Sequence, residues 1–239
     1  MSAQAPILER LEAVRDRIAA AALRSGRPPE DVTLVGVSKR QPAERVAEAA
    51  RAGLDHFGEN YAQEAAEKLP KVEALLEGSP SISLKWHFIG QLQTNKVKLV
   101  APRFQWVESL DRLSLGRELE RRAITTGSRL QVLLQANVSR EAQKGGADPE
   151  GLEGLLAASA DWPHLQIVGL MTIPAAADDP LQTRPAFARL RELRDKLRDE
   201  PGGSGLVHLS MGMSADYEVA IEEGATIVRV GTAIFGTRD

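Results

Sequence analysis

The stretch Thr33-Leu34-Val35-Gly36-Val37-Ser38-Lys39-Arg40 decides the fold class. Its apolar run is short, rich in β-branched side chains and bounded by polar residues, which indicates a buried strand. Lys39 lies directly at the carboxyl end of this strand. It is either a solvated cation where the strand reaches the surface, or a reactive amine at the mouth of a barrel, where α/β barrels keep their chemistry.

Strand-like and helix-like segments alternate along the chain, after one extra amphipathic helix at its start. Alternation of this kind demands parallel strands joined by right-handed crossovers. Eight such units in 239 residues favour a closed (β/α)8 TIM barrel, of class α/β, over an open doubly wound sheet. We therefore predict a single domain over residues 1–239. The predicted strands are at 33–38, 54–57, 85–89, 104–108, 130–138, 165–171, 207–210 and 226–230.

Polar side chains are expected to cap or brace several of the predicted helices. Ser109 or Asp111 would cap the helix after the fourth strand, and Ser214 would cap the helix after the seventh. Glu192 and Lys196 lie on one predicted helix at the spacing of an ion pair. These expectations concern the local structure of the helical layer.

The composition excludes several classes of protein. A net charge of −3 and a pI near 5.9, with acidic and basic residues interspersed, argue against a nucleic-acid surface. Without cysteine, the chain has neither a disulfide framework nor a thiolate zinc site. It shows no signal-peptide core, and no apolar run approaches the ~20 residues of a membrane helix. We expect a cytoplasmic protein and, since no surplus amphipathic helix demands a dimer, a monomer.

The histidines do not have the spacing of a metal site, and we expect each to be structural rather than catalytic. The sequence has no P-loop and no nucleophile elbow. Glu59 and Asn60 form a polar pair at the end of the second strand, where they would belong to a barrel site or, through Asn60, cap a helix. The histidines are His56, His87, His164 and His208.

Small and hydroxyl-bearing residues follow the last two strands, in Ser210-Met211-Gly212-Met213-Ser214 and Arg229-Val230-Gly231-Thr232. Small residues let backbone N–H groups approach a ligand, hydroxyls add donors, and helix N-termini add positive partial charge. Glycine and serine also cap helices with no ligand present. Barrel enzymes often hold phosphate in these two loops, so together with Lys39 they favour a phosphate cup over capping.

A set of ordered motifs resembles the pyridoxal 5'-phosphate (PLP) homeostasis protein family, which looks like the N-terminal barrel domain of alanine racemase standing alone. The resemblance spans about residues 5 to 238. The motifs are Val37-Ser38-Lys39, Phe57-Gly58-Glu59-Asn60, Trp86-His87-Phe88-Ile89-Gly90, Gln93-Thr94-Asn95-Lys96, Gly169-Leu170-Met171, Ser210-Met211-Gly212-Met213-Ser214 and Val230-Gly231-Thr232-Ala233-Ile234-Phe235-Gly236.

The resemblance implies PLP as the cofactor and assigns a role to each of eight residues. Which of the two serines is the nearer phosphate ligand stays open. Lys39 would be the Schiff-base lysine, Ser210, Ser214, Gly231 and Thr232 would lie at or near the phosphate, Arg229 would face the pyridine nitrogen, and Asn60 and Met171 would line the ring pocket.

Three activities remain in competition. The first is a non-catalytic carrier that holds PLP for PLP-dependent apo-enzymes, and the second is a racemase or related amino-acid enzyme. Racemases of this fold add a β-rich domain whose tyrosine is the second acid/base, whereas this chain ends after the eighth unit and its tyrosines, Tyr61 and Tyr217, are expected in helices. With one proton relay missing, the carrier is favoured. The third activity, a Schiff-base aldolase without cofactor, needs only Lys39 and a phosphate site.

Overall fold

A computed structural model describes residues 6–79, 82–138, 145–175 and 177–237, and its parallel strands close into a barrel in the order β1 to β8. The predicted (β/α)8 barrel is confirmed. The strands are β1 Thr33–Val37, β2 His56–Glu59, β3 Lys85–Phe88, β4 Trp106–Leu110, β5 Leu130–Gln135, β6 Leu165–Met171, β7 His208–Ser210 and β8 Ile227–Val230. The helices are α1 Ile7–Arg24, α2 Ala43–Arg51, α3 Ala62–Leu75, α4 Val97–Val100, α5 Leu113–Thr126, α6 Pro149–Ala158, α7 Arg184–Arg198, α8 Tyr217–Glu222 and α9 Thr232–Phe235.

Each strand is buried on both faces, because one face packs on helices and the other lines the barrel interior. Alternate residues of a strand point to opposite faces. Phe57, Trp86 and Val107 point outward into the large core shared with the helices. The inward residues include a small apolar cluster formed by Val35, Leu133, Val168, Met171 and Ile227.

Helix α1 is the extra N-terminal helix, and it packs against α8, α9 and α2 beside the seam where β8 pairs with β1. Its apolar face is buried, while Arg17 and Arg24 on its polar face form ion pairs with Glu218 and Glu222. Like the other helices in the described ranges, it is not apolar enough over sufficient length to cross a membrane.

Strand β2 lies two residues later than its predicted position at 54–57, and it includes Gly58 and Glu59. Gly58 lies just beyond the predicted strand, yet a Cβ at this position would come within 2.9 Å of Ile89 Cδ1 and 3.1 Å of Val35 Cγ1. Gly58 therefore marks a close approach of neighbouring strands, which is the usual reason for a glycine inside a strand. Strand β5 ends at Gln135, earlier than predicted.

The predicted caps of two helices are wrong. Ser109 lies within β4, and the side chain of Asp111 pairs with Arg112 at 2.6 Å instead of capping α5. Helix α8 begins only after Asp216, so Ser214 does not cap it.

The expected ion pair between Glu192 and Lys196 is also replaced by another. The Lys196 amine donates to Glu153 on α6 at 2.8 Å, because α6 and α7 are neighbours around the barrel. Lys196 thus pairs with a residue of the neighbouring helix α6, and not with Glu192 of its own helix as the helical spacing predicts.

Candidate functional site

A cavity of about 340 Å³ opens at the end of the barrel where the carboxyl ends of the strands meet. A larger cavity of about 520 Å³ lies beside α1 at the amino ends of β1 and β2, away from the end where barrels keep their chemistry. The smaller cavity is therefore the candidate site. Its lining residues are Val37, Lys39, Asn60, Ile89, Ile173, Met213, Ser214, Ala215, Arg229, Gly231 and Thr232.

Lys39 follows β1 and lines this cavity in a half-buried position. The residue before it is held from two sides. The Ser38 hydroxyl donates to Glu59 Oε1 at 2.7 Å, and the Lys68 amine donates to the Ser38 carbonyl at 2.8 Å. Lys68 also pairs with Glu59 at 2.8 Å, so a buried ion pair fixes the backbone from which Lys39 projects.

The burial of Lys68 was not predicted, since a lysine in a helix is usually solvated. Its side chain is only 7% exposed. The signal in the sequence was weak: Glu64, one helical turn earlier, also pairs with Lys68, at 2.6 Å. No sequence pattern indicates that Glu59 would reach the same amine.

Asn60 lines the cavity and does not cap α3, whose first residue is preceded by Tyr61 without a side-chain capping bond. The Oδ1 atom of Asn60 is buried and has no hydrogen-bond partner among the described residues. Buried amide oxygens almost always have a partner, so this atom is an acceptor available to a ligand. Gly90 allows the close approach behind it, because a Cβ there would lie 2.2 Å from the Asn60 carbonyl oxygen.

The loops after β7 and β8 are joined by Ser214. Its hydroxyl oxygen accepts hydrogen bonds from the backbone N–H groups of Gly231, at 3.1 Å, and Ala233, at 3.5 Å. Ser214 keeps its own O–H as a donor, and it lines the cavity with Gly231 and Thr232. The expected contribution of helix N-termini is small, since α8 has six residues, begins beyond this loop, and α9 has four.

Arg229 points into the barrel from β8 and is only 3% exposed, yet it lines the cavity. Its Nη1 donates to the Ser210 hydroxyl oxygen at 2.5 Å, and its Nη2 donates to the Thr172 carbonyl at 2.9 Å. Burial lowers the pKa of Arg229, opposed by the charges of Glu108 and Asp216. An arginine nevertheless stays charged at ordinary pH, so Arg229 brings a fixed positive charge to the cavity.

The structure brings six of the eight expected residues to the cavity and leaves two outside its lining. Ser210 is fully buried, and its hydroxyl donates to Glu108 Oε2 at 2.6 Å while it accepts from Arg229. Met171 is fully buried in the apolar cluster inside the barrel. The lining includes Lys39, Asn60, Ser214, Arg229, Gly231 and Thr232.

A buried network below Arg229 was not predicted. The His87 Nδ1 atom lies 2.6 Å from Glu108 Oε1, and its Nε2 atom lies 2.8 Å from His56 Nδ1. Trp106 stacks on His87 with ring centroids 4.9 Å apart. Burial alone would raise the pKa of Glu108, but bonds from His87 and Ser210 and the charge of Arg229 hold the pKa of this carboxyl below its usual value.

Two of the four histidines, His56 and His87, belong to this network. Within the described ranges, no group of His, Asp and Glu side chains could hold a metal ion. His164 is separate from the network and pairs with Glu120 at 2.8 Å in the outer layer.

The class of protein follows from a match to a family model. Residues 10–239 match the model described as "Alanine racemase, N-terminal domain". This match covers nearly the whole barrel, including every residue that lines the cavity. The chain thus belongs to the alanine racemase N-terminal domain class.

Named relatives narrow the class further. The chain is 46% identical over 230 residues to the pyridoxal phosphate homeostasis protein of Aquifex aeolicus, covering 96% of this chain and 97% of that one. It is 48% identical over 233 residues to that of Pseudomonas aeruginosa, covering 98% and 96%. The solved structure of PipY from Synechococcus elongatus with PLP bound is 36% identical, with a TM-score of 0.81, covering 96% and 100%. The chain belongs to the pyridoxal phosphate homeostasis protein family.

We expect His56 to titrate at about 4, because burial and the neighbouring His87 both lower its pKa. Unfolded histidine titrates near 6.5, so between these values the unfolded chain binds the extra proton. The contribution of His56 to stability is therefore complete above about 6.5 and is lost as the pH falls toward 4. NMR titration of the ring nitrogens measures this pKa. A His56→Gln variant should flatten the fall in unfolding free energy over the same window, and titration near 6.5 would contradict the expectation.

Proposed function

We propose that this protein binds PLP, carries it as a Schiff base on Lys39, and serves PLP homeostasis in the cytoplasm without turning over a substrate. The proposal rests on one observation: Lys39 and Arg229 line the same cavity as Ser214 and Thr232, which belong to the loops after β7 and β8. Relatives of this family bear the name of that function, and PipY has been solved with PLP bound.

The Lys39 amine would form the covalent link. PLP supplies an aldehyde, and when bound it can also supply a ring that accepts electrons. Lys39 would hold the cofactor through its Nζ atom, as an imine with this aldehyde, the aldehyde oxygen being lost as water. Addition of water reverses the link, which suits a carrier that must release its cargo. The half-buried position of Lys39 at the rim leaves it within reach of solvent.

Ser214, Gly231 and Thr232 would hold the phosphate. The Ser214 hydroxyl has its oxygen occupied by two N–H donors, so its hydrogen is oriented away from them. Thr232 adds a second hydroxyl, and Gly231 has no side chain to keep a ligand from the backbone. Hydroxyl donors to a charged phosphate oxygen make stronger bonds than donors to a neutral acceptor.

Asn60 and Arg229 would hold the ring. The unpartnered Oδ1 atom of Asn60 can accept from a hydroxyl, and PLP carries a ring hydroxyl. Arg229 can only donate, so a ring nitrogen facing it must be an acceptor and cannot carry a proton. A ring with an unprotonated nitrogen is a poor electron sink, which disfavours chemistry at a bound amino acid.

The absence of turnover is supported by the groups available for proton transfer. Among the described residues of the cavity lining, Lys39 and Arg229 are the ionisable ones. Racemisation by two bases needs a second group that takes and gives a proton, and an arginine fixed in its charged form serves poorly. A racemase and a cofactor-free aldolase remain as outcomes that the experiments below would reveal.

The recipients of the cofactor would be PLP-dependent apo-enzymes, and the carrier would act as a monomer. Cargo on a reversible imine at the barrel rim can pass to a lysine of another protein by exchange of one amine for another. Such exchange requires no second subunit of the carrier.

Borohydride reduction of the PLP-loaded protein should fix the pyridoxyl group on Lys39. Peptide mass analysis locates the added mass, and the visible absorption of the imine should disappear on reduction. Lys39→Arg keeps the positive charge but cannot form the imine, so it should show neither the colour nor the label. Labelling confined to another lysine would refute the role of Lys39, and a colourless wild-type protein would favour the cofactor-free aldolase.

Replacing Thr232 by valine should weaken PLP binding about ten- to hundred-fold, because a hydrogen bond to a charged acceptor is worth roughly 1.5–3 kcal/mol. Affinity for pyridoxal, which lacks the phosphate, should not change. Thr125→Val, on the exposed face of α5, removes a similar hydroxyl far from the cavity and should leave both affinities as they are. Equal losses for PLP and pyridoxal in Thr232→Val would show that the phosphate lies elsewhere.

The PLP-loaded protein should not exchange the α-proton of L-alanine at an enzymatic rate. NMR in deuterium oxide measures the exchange, with Lys39→Ala plus free PLP as the background. The expected rate is far below the ~1 s⁻¹ that marks the low end of typical enzymes. A rate above that value, dependent on Lys39, would establish the racemase alternative.

A further inference from the structure

Four strands contribute polar side chains to one connected group inside the barrel: Arg229 from β8, Ser210 from β7, Glu108 from β4 and His87 from β3. Strands β4 and β7 do not pair, since β5 and β6 lie between them. The 2.6 Å bond from Ser210 to Glu108 therefore crosses the interior of the barrel. It connects a carboxylate on one side to the arginine of the cavity on the other.

The donors of this group converge on Glu108. The Ser210 hydroxyl donates to Glu108 Oε2, so its oxygen is left to accept from Arg229 Nη1. His87 Nδ1 lies at hydrogen-bond distance from the other carboxylate oxygen, Oε1. The hydrogen of the Ser210 hydroxyl is thereby committed to Glu108, and Ser210 is not among the residues that line the cavity.

Burying these connected polar side chains inside the barrel costs free energy. The interior around it is the apolar cluster that contains Leu133 and Met171, and both Glu108 and Arg229 are almost without solvent contact. The charged atoms of Arg229 and Glu108 are 3.9 Å apart, with Ser210 bridging them. Barrel interiors are more commonly filled by branched apolar side chains, and apolar packing often stabilises a core as well as a buried ion pair does. Stability alone therefore gives little reason for this arrangement.

We propose that Glu108 is a positioning residue of the cofactor site, which acts through Ser210 to fix the guanidinium of Arg229 toward the ring-nitrogen end of the ligand. Ser210 serves this link and does not hold the phosphate. The inference rests on the proposed binding of PLP. With Glu108 in place, Arg229 has two of its donors held by Ser210 and the Thr172 carbonyl, which restricts the directions in which the others can point.

Binding of three ligands distinguishes this positioning role from a purely structural role and from phosphate binding by Ser210. PLP carries both the ring nitrogen and the phosphate, its 1-deaza analogue has a C–H in place of the ring nitrogen, and pyridoxal lacks the phosphate. Dissociation constants for each are measured by absorbance titration on the full chain, with thermal unfolding as a check on the fold. The variants are Glu108→Gln and Ser210→Ala. Glu120→Gln is the matched control, because it alters another buried carboxylate that pairs with a histidine, the half-buried His164, outside the barrel interior.

The wild-type protein should bind PLP more tightly than the 1-deaza analogue. Both variants should weaken PLP and pyridoxal alike by about tenfold, the loss expected for one charge-assisted hydrogen bond. They should leave the affinity for the 1-deaza analogue nearly unchanged. Glu120→Gln should lower the unfolding temperature without changing the ratio of the PLP and 1-deaza affinities. Should Glu108→Gln fail to fold, Ser210→Ala alone decides between the outcomes.

Other outcomes overturn the inference in distinct ways. Equal weakening of all three ligands would mean that the group only supports the packing of the barrel. Weakening of PLP and its 1-deaza analogue, but not of pyridoxal, would make Ser210 a phosphate ligand. Unchanged affinities, or a wild-type protein that binds PLP and the analogue equally, would remove any role for Glu108 in nitrogen recognition while leaving PLP carriage intact. Failure of the wild-type protein to bind PLP at all would instead refute the proposed function.

Discussion

Closure of the parallel sheet is the constraint on which the rest of the structure depends. Since β8 pairs with β1, the loop that carries Gly231 and Thr232 lies next to the strand end that carries Lys39, although nearly the whole chain separates them in sequence. Closure also removes both sheet edges and turns one face of each strand into an interior shielded from water. The same geometry therefore produces the rim where ligands bind and the dry interior where Glu108 and Arg229 interact.

Much of this could be read from the sequence, because the responsible signals are local. The alternation of apolar runs with helical patterns depends on segments of ten to twenty residues, and the place of Lys39 depends only on where β1 ends. The small and hydroxyl-bearing residues of the loops after β7 and β8 are likewise a local signal, visible without knowledge of their partners. Where local signals misled, the cause was tertiary: Gly58 belongs to a strand because Ile89 and Val35 crowd it.

The rest was beyond local reasoning because it depends on register around the barrel. Ser210 and Ser214 have the same side chain four residues apart, yet one meets Glu108 in the interior and the other joins two loops at the rim. Nothing in a single sequence states that β4 faces β7 at the height of Glu108. His56 and His87 looked isolated for the same reason, since their contact requires the stagger of β2 against β3.

The ion pairs between α1 and α8 have a consequence for how the protein is synthesised. Arg17 and its partner Glu218 are 201 positions apart. At the ~5–20 residues per second of ribosomal synthesis, the apolar face of α1 would wait on the order of 10–40 s for α8 to be translated. Of the helices packed against α1, only α2 is available during that interval to cover Ile7, Leu11, Val14 and Ile18. β8 would pair with β1 and close the barrel only near the end of translation. Until then the exposed apolar face of α1 would be able to bind chaperones or other nascent chains.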